Sequence, residues 1–371
     1  MLQRTGRSGA LRAASIISAA TLAAVGLAAP GQAFAWGHTG HVGISELAAE
    51  ALPREVPGFL RSPLAVAEIS QLGAEADESK TTGTVTGIAN GRISTTFTVH
   101  DAERDPGHFI DLDDTGVVVG GAVPLTALPT TREAFDTAQR AATNPGHQDQ
   151  YASGYLPYEI MDDFQQVRKD FGMWRAFGVG LRTARSRSDR EYFAYQLALR
   201  EQLIIRDIGY WSHFVADGSQ PLHVSVHFNG WGNFPNPNGF TTAPIHAQFE
   251  GAFVKNFINF NAVRAQVRPY TDRGVTTIEA RVPLYLAETL SQVPAVYQAA
   301  KTNNNDNYQT PQPAEVAVVT RQLAAGVAEL RDEIVDAWRQ SEDVTVGFPL
   351  VTVKDIEAGR VAVTPDTFGS D

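Results

Sequence analysis

Long segments of this chain carry apolar residues at spacings of three and four, and no other pattern in the sequence is as widespread. This spacing places apolar side chains on one face of an α-helix. Several of the segments begin with proline, whose fixed φ and missing N–H suit the first helical turn. The sequence therefore predicts an all-α fold, a single mostly helical domain. The predicted helices are 41–51, 63–76, 131–142, 157–183, 188–216, 245–260, 283–302 and 313–341.

Three regions depart from this periodicity. Residues 81–99 alternate β-branched residues around Asn90-Gly91, which predicts a small peripheral β-hairpin. Residues 227–244 are rich in Gly, Asn, Pro and aromatic residues, which predicts a long loop. Residues 348–363 are expected to form a strand pair or an extended segment. We expect the main domain to span 36–345 and a C-terminal tail to span 346–371.

The first 35 residues have the features of a secretory signal peptide. Arg4, Arg7 and Arg12 form a basic segment, an apolar run of small residues follows, and the chain reads Ala-Phe-Ala up to Ala35. We therefore expect cleavage between Ala35 and Trp36 and a secreted or periplasmic protein. A membrane anchor is the alternative, but the run is rich in Ala, Ser and Gly and falls short of a typical spanning helix.

The protein is acidic and contains no cysteine. Its formal net charge of −11 becomes more negative when the leader and its three arginines are removed. Proteins that bind long duplexes neutralise phosphates with a basic surface, so this composition argues against tight duplex binding. Because disulfides cannot form, stability must come from the core or from bound metal.

Two pairs of residues have the spacing expected of metal ligands on helices. His213 and Asp217 are four residues apart, so both project from one helix face, and a turn containing Gly and Pro can return His223 toward them. His246 and Glu250 repeat the same spacing. Zinc prefers imidazole nitrogen and carboxylate oxygen as ligands. Either pair alone would more often be a hydrogen bond on a helix surface, but together they predict a metal centre.

Further candidate ligands precede these pairs. Cleavage after Ala35 would give Trp36 a free α-amino group, which can close a five-membered chelate ring with the carbonyl oxygen of the same residue. His41, on the first predicted helix, can complete such a site. The alternative for Trp36 is a buried hydrophobic residue that packs the helix start. Asp77 and His108 are single candidates, and either alone would be an ordinary surface acid or loop histidine.

Taken in order, these residues resemble the superfamily of zinc-dependent single-strand-specific nucleases and bacterial zinc phospholipases C. The superfamily pattern has an amino-terminal Trp, a nearby His, a helix-end Asp and a His in a His-Phe-Ile-Asp-like segment. A His-x3-Asp-x5-His motif ending in Gln-Pro-Leu-His follows, and a His-x3-Asp or His-x3-Glu closes the pattern. The sequence presents all of these between Trp36 and Glu250. The resemblance implies a single, mostly α-helical domain.

The resemblance also implies three zinc ions and the ligands of each. Asp217 would bridge two of the ions and is the expected catalytic residue. The implied ligands are Asp77, His108, His213 and Asp217 for the first zinc, Trp36, His41 and Asp217 for the second, and His223, His246 and Glu250 for the third.

The implied activity is hydrolysis of phosphate esters. The amino-terminal Trp-Gly-x-x-Gly-His and the Gln-Pro-Leu-His spelling favour an endonuclease or nucleotidase acting on single-stranded DNA, RNA or nucleotides. Glu250, in place of Asp, favours a phospholipase C that releases a phosphorylated head group from phospholipid. A secreted zinc-binding protein without turnover is a third alternative, and no stable protein partner is implied. Trp231 or Phe234 could contact a base or lipid, or could pack the loop.

Overall fold

Three long helices form the centre of the fold in the computed structural model, which describes residues 36–80, 84–89, 92–96, 99–120, 123–142 and 149–369. The predicted leader, 1–35, lies outside the described residues. The α-helices are α1 (Gly37–Glu50), α2 (Pro63–Leu72), α3 (Glu75–Lys80), α4 (Val99–Arg104), α5 (Arg132–Ala141), α6 (Gln150–Ser153), α7 (Leu156–Thr183), α8 (Arg187–Gly218), α9 (Phe253–Phe257), α10 (Phe260–Gln266), α11 (Ile278–Leu290), α12 (Val293–Thr302), α13 (Pro313–Gln340) and α14 (Val353–Glu357).

Short turns of other helix types connect several of these elements. The 3₁₀ turns are Gly58–Arg61, Asp105–His108, Leu125–Ala127, Pro221–His223, Ser341–Asp343 and Pro365–Phe368, and one π-helical turn spans Gln248–Ala252. The strands are β1 (Thr84–Ala89), β2 (Arg92–Thr96), β3 (Thr345–Val346) and β4 (Val351–Thr352). None of the described helices has the length and apolar character needed to cross a membrane. The prediction of a mostly helical domain is confirmed.

The main core lies where α1, α7, α8 and α13 pack against one another. Burial of apolar side chains is the dominant stabilising term in such a core. Phe164 of α7 packs edge-on against Trp211 of α8, with ring centroids 5.9 Å apart. The indole nitrogen of Trp211 donates to the carbonyl oxygen of Ile160 at 3.1 Å, which satisfies its buried polar group. These contacts fix the end of α8 that carries His213 and Asp217.

Three predicted helices are each divided in the structure. The segment 63–76 breaks at Gly73, where a Cβ atom would lie 2.2 Å from Ser45 Oγ, so the close approach of α1 requires glycine. The segment 245–260 begins with the π-helical turn and ends before Asn259, whose side chain caps α10. The segment 283–302 divides between α11, which already begins at Ile278 and contains Pro283, and α12, which has a proline in its first turn.

The predicted hairpin is present at the periphery. β1 and β2 pair antiparallel, and Ala89 pairs with Arg92, so two residues connect the strands as the Asn-Gly sequence predicts. Their turn residues, 90 and 91, lie outside the described residues.

Residues beyond 345 pack against the helical hairpin formed by α7 and α8. β3 and β4 pair antiparallel, and α14 follows directly. Val353 and Ile356 are fully buried in a second, smaller core with Phe177 of α7 and Phe193 of α8. The segment expected to be a C-terminal tail therefore contributes apolar side chains to the folded structure.

Candidate metal centre

The structure brings together all eight side chains that the sequence predicts as metal ligands. Every one of them is at most 5% exposed. Within the described part of the chain they form three groups, and the ligand atoms of each group lie within 4.8 Å of one another. The groups are Asp77, His108 and His213; His41, His213 and Asp217; and His223, His246 and Glu250. Each group could hold a metal ion.

The first group joins α3, the 3₁₀ turn Asp105–His108 and α8. The Nδ1 atom of His108 lies 2.9 Å from Nε2 of His213 and 3.8 Å from Oδ1 of Asp77. His213 Nε2 lies 3.8 Å from the same Asp77 oxygen. Asp217 also faces this group, because its Oδ2 atom is 3.2 Å from His108 Nδ1.

Asp217 lies between the first and second groups and directs one oxygen toward each. Its Oδ2 atom is 3.4 Å from His213 Nε2, whereas its Oδ1 atom is 3.4 Å from Nε2 of His41 on α1. The imidazole rings of His41 and His213 stack with their centroids 3.8 Å apart. A carboxylate in this position can bridge two ions, as the resemblance implies.

The third group is formed by the chain after α8 and by the helical turns that carry His246 and Glu250. The two Nε2 atoms of His223 and His246 are 3.0 Å apart. Oε2 of Glu250 lies 2.7 Å from the His246 nitrogen and 3.5 Å from the His223 nitrogen. The i,i+4 spacing of His246 and Glu250 thus places both side chains on one side of their helix.

Backbone carbonyl groups fix the orientation of three of the histidine rings. A carbonyl oxygen only accepts hydrogen bonds, so the Nδ1 atom facing it carries the hydrogen and the neutral ring keeps its lone pair on Nε2. Such contacts are the usual support of metal-binding histidines. The Nδ1 to oxygen distances are 2.9 Å from His213 to Gly73, 2.6 Å from His223 to His108, and 2.8 Å from His246 to Phe228.

The ligand geometry fits a divalent metal ion. The Nε2 atoms of His223 and His246 face each other and Oε2 of Glu250, an arrangement that a cation between them would stabilise. Ligands at zinc distances from a tetrahedral ion are about 3.3 Å apart, close to the spacings found here. In addition, Asp217 Oδ1 and Glu250 Oε1 are buried and accept no hydrogen bond from the described residues. Mixed imidazole and carboxylate donors suit zinc.

Burial controls the protonation of the site. It lowers the pKa of His213 to about 3 and that of His108 well below its usual value, so both rings are neutral at pH 7. Burial, together with the negative charge of Asp77, raises the pKa of Asp217 well above its usual value. Burial acts in the same direction on Glu250, but the adjacent His246 and His223 outweigh it and the pKa of Glu250 is lowered.

Trp36 is packed beside two of the ligand-bearing segments. Its indole nitrogen donates to Ser219 Oγ at 2.8 Å and to the carbonyl oxygen of Ala216 at 3.1 Å. The following residue, Gly37, lies close to the turn that carries Glu250. A Cβ atom on Gly37 would be 3.2 Å from the Cα atom of Gly251. The backbone of Trp36 is therefore held between the end of α8 and the turn that carries Glu250. Coordination by its amino group stays a prediction.

Sequence reasoning missed two polar residues that support the ligands. Lys80 is 4% exposed, and its Nζ atom lies 3.1 Å from Asp77 Oδ1 and 3.1 Å from Asp105 Oδ1. Gln220 donates from Nε2 to Glu250 Oε2 at 3.0 Å. The i,i+3 spacing of Asp77 and Lys80 was available in the sequence as a signal, whereas the long-range contact of Gln220 was not.

A third missed residue is Asp111, in the segment that follows His108. Burial raises its pKa to about 7, while the charge of His246 acts in the opposite direction. Asp111 therefore places a titratable carboxyl near the third group. Its position in the His-Phe-Ile-Asp segment is the only signal that the sequence offers for it.

The aromatic loop after His223 divides into buried and exposed members. Trp231 is 5% exposed and stacks on His227 with ring centroids 3.6 Å apart, so it packs the loop and is not available as a flat binding surface. Phe228 and Phe234 are 46% and 39% exposed. Since the carbonyl oxygen of Phe228 accepts from His246, this residue lies directly beside the third group.

Comparison of the sequence with models of known protein families gives no match, and no curated protein matches it significantly.

Proposed function

We propose that this protein is a secreted, zinc-dependent hydrolase of phosphate esters whose three groups of ligands hold three zinc ions. The observation that carries the proposal is the meeting of His41, His108 and His213 with their carboxylate partners in one buried region, although long stretches of chain separate them. The order of these residues along the chain supports the resemblance to the zinc nuclease and phospholipase C superfamily.

The side chains of the protein have distinct parts in this reaction. Asp217 holds the first two groups together, and the carbonyl-bound rings of His213 and His223 keep their lone pairs directed inward. Lys80 pairs with Asp77 and Asp105 and so holds the Asp77 carboxylate in place beside the first group. Bound zinc would supply an acidified water molecule and would stabilise negative charge on the phosphate oxygens.

We infer that the substrate is single-stranded nucleic acid or a nucleotide, and that the enzyme is an endonuclease or nucleotidase. The exposed ring of Phe228, beside the third group, and that of Phe234, in the same loop, favour this substrate, because single strands can be held by stacking without a basic surface. Glu250 in the last ligand position favours the second candidate, a phospholipase C that acts on phospholipid.

A comparison of two substrates by one preparation tests the proposal. Protein beginning at Trp36 is analysed for zinc and assayed for release of acid-soluble nucleotides from single-stranded DNA and RNA and for release of phosphorylated head groups from phosphatidylcholine. We expect about three zinc ions and nucleotide release, with Asp217→Asn lowering the rate on the order of 100-fold or more. Asp136→Asn, on the surface helix α5, is the matched control. Head-group release alone would support the phospholipase, and zinc binding without either activity would contradict enzymatic function.

A further inference from the structure

A second cluster of buried oxygen atoms lies in the connection between α12 and α13. Asp306 Oδ1, Asn307 Oδ1 and Glu315 Oε1 are all buried, and none of them has a hydrogen-bond partner among the described residues. Glu315, in the first turn of α13, is 0% exposed. A buried oxygen without a partner costs about 1–3 kcal/mol, and more when it is charged, so three in one loop require an explanation.

Hydrogen bonds within the connection hold two of the side chains that carry these oxygens. Asp306 uses its other oxygen, Oδ2, to accept from the backbone N–H of Thr310 at 3.0 Å. Glu315 uses Oε2 to accept from Asn303 Nδ2 at 3.0 Å, and the same amide nitrogen lies 3.4 Å from the carbonyl oxygen of Thr310. The Glu315 carboxylate also interacts with the backbone N–H groups of Tyr308 and Gln312, whereas Asp306 Oδ1, Asn307 Oδ1 and Glu315 Oε1 have no hydrogen bond of good geometry among the described residues.

Electrostatics agree with this proximity. Burial, followed by the negative charge of Asp306, raises the pKa of Glu315 to about 7. An effect of Asp306 on Glu315 requires the two carboxylates to lie near each other. A positive charge between them would remove the repulsion.

We propose that this loop binds a calcium ion through Asp306, Asn307 and Glu315. All three donors are oxygen atoms, which hard cations prefer, whereas zinc favours nitrogen or sulfur. Calcium accepts irregular arrangements of carboxylate, amide and carbonyl oxygens, while magnesium demands near-ideal octahedral geometry and keeps its water. A glutamate in the first turn of the helix after the loop is also the position from which helix–loop–helix calcium sites draw a ligand.

The backbone of the loop is consistent with a bound ion. Asn304, Asn305, Asn307 and Tyr308 all have φ between 55° and 63°, a left-handed conformation that asparagine adopts more readily than most residues but that is uncommon for tyrosine. Such conformations persist only where surrounding interactions hold them. An ion that draws in the oxygens of consecutive residues would supply such an interaction.

The loop contacts the segment that carries Glu250. Tyr308 is fully buried, and its ring packs edge-on against Phe249 and Phe253 with centroids 4.9 and 5.1 Å away. The carbonyl oxygen of Tyr308 also accepts from Gln248 Nε2 at 3.0 Å. Calcium in this loop would therefore stabilise the π-helical turn on which Glu250 lies. No residue of the proposed calcium site belongs to the metal centre, so the two proposals can fail independently.

Calorimetric titration of the zinc-loaded protein with calcium chloride tests the site, because zinc keeps the histidine groups occupied. We expect one calcium ion per chain, weaker binding of magnesium chloride, and a rise of several degrees in the melting temperature with calcium. Glu315→Gln removes one charge from the cluster with little change of shape, and should weaken calcium binding on the order of tenfold or more.

Two further variants keep the test decisive. Asn307→Gly preserves the left-handed backbone and both carboxylates while removing the amide oxygen, so it tests the site even if Glu315→Gln does not fold. Asp343→Asn changes an exposed acid elsewhere and should bind calcium like the unmodified protein. Absence of calcium binding to the unmodified protein, or equal affinity in Asn307→Gly and Asp343→Asn, would overturn the proposal.

Discussion

His223 donates through Nδ1 to the carbonyl oxygen of His108 at 2.6 Å, and the N–H of Ile110 returns a hydrogen bond to the carbonyl oxygen of His223 at 2.9 Å. His108 belongs to the first group of ligands and His223 to the third. These hydrogen bonds connect the two groups through the backbone. A movement of one group should therefore shift the other.

Zinc binding should release a proton from Asp217. The raised pKa of this carboxyl means that the metal-free folded protein keeps a proton there to a higher pH than a free aspartate does, whereas His213, with its pKa near 3, holds none at neutral pH. A zinc ligand must be deprotonated, so binding displaces the proton. Zinc titration in weak buffer near neutral pH with an indicator dye should show this release, and Asp217→Asn should release fewer protons. Equal release by both proteins would contradict the assignment.

The same pKa shift predicts how the stability of the metal-free protein depends on pH. Unfolded Asp217 is ionised above its usual pKa of 3.8, but the folded protein retains the proton, so stability from this group is lost as pH rises. Above pH 6.5 the buried rings of His213 and His108, whose pKa values are lowered, are mostly neutral in both states and do not oppose the effect. Urea unfolding should therefore show a free energy that falls by up to about 1.4 kcal/mol per pH unit from this group. Asp217→Asn should give a smaller slope.

One extra residue before Trp36 should lower activity sharply. The indole of Trp36 is anchored at Ser219, so the backbone of Trp36 cannot easily move away from the ligands. An added glycine would convert the proposed amine ligand into an amide, and zinc content should fall by about one ion. Protein that begins at Trp36 is the control, and metal analysis beside the activity assay is the measurement. Full activity and full zinc content in the extended protein would exclude the chelate.

Gly73→Ala should disturb the first two groups together. A Cβ atom at this position would lie 2.2 Å from Ser45 Oγ and 3.1 Å from the carbonyl oxygen of His41, and Gly73 itself orients His213. Crowding of this kind costs about 1–3 kcal/mol, so a lower melting temperature and lower activity are expected. Gly58→Ala is the matched control because its nearest neighbour would be 3.8 Å away. Equal melting temperatures would show that α1 has room to shift.

Phe234→Ala should weaken binding of single-stranded oligonucleotides without affecting a small phosphodiester that lacks a base. Base stacking on an aromatic ring contributes about 1–3 kcal/mol, so KM for the oligonucleotide should rise at least several-fold while kcat changes little. Phe348→Ala, which alters a 77% exposed ring in the β3–β4 connection, is the control. An unchanged KM for both substrates would remove Phe234 from the proposed binding surface.

The helices of this protein could be predicted because their signals are local. Apolar periodicity and first-turn prolines define α7 and α13 to within a few residues of the observed ends. The i,i+4 spacing likewise placed His213 beside Asp217 and His246 beside Glu250, since helix geometry alone decides that relationship. The approach of these pairs to His41 and Asp77 follows from packing and was expected only through the family resemblance.

Other features could not be read from the sequence because they depend on contacts between distant residues. The carbonyl partners of the histidine rings are set by where loops meet in three dimensions, and periodicity contains no such information. Trp231 lies in a segment whose composition is typical of an exposed loop, yet the rings of Tyr297 and Phe240 pack against it. The sequence likewise does not show that Asp306, Asn307 and Glu315 each have a buried oxygen without a hydrogen-bond partner among the described residues, because this depends on the positions of neighbouring atoms.

The near-complete burial of the ligands has a kinetic consequence. A zinc ion held by His213 and Asp217, both 0% exposed, can leave only when helices α1 and α8 open locally. Exchange with surrounding metal would then be governed by the frequency of that opening and not by the strength of coordination alone. Once loaded, such a protein would retain its ions for long periods after dilution into surroundings that contain almost no free zinc.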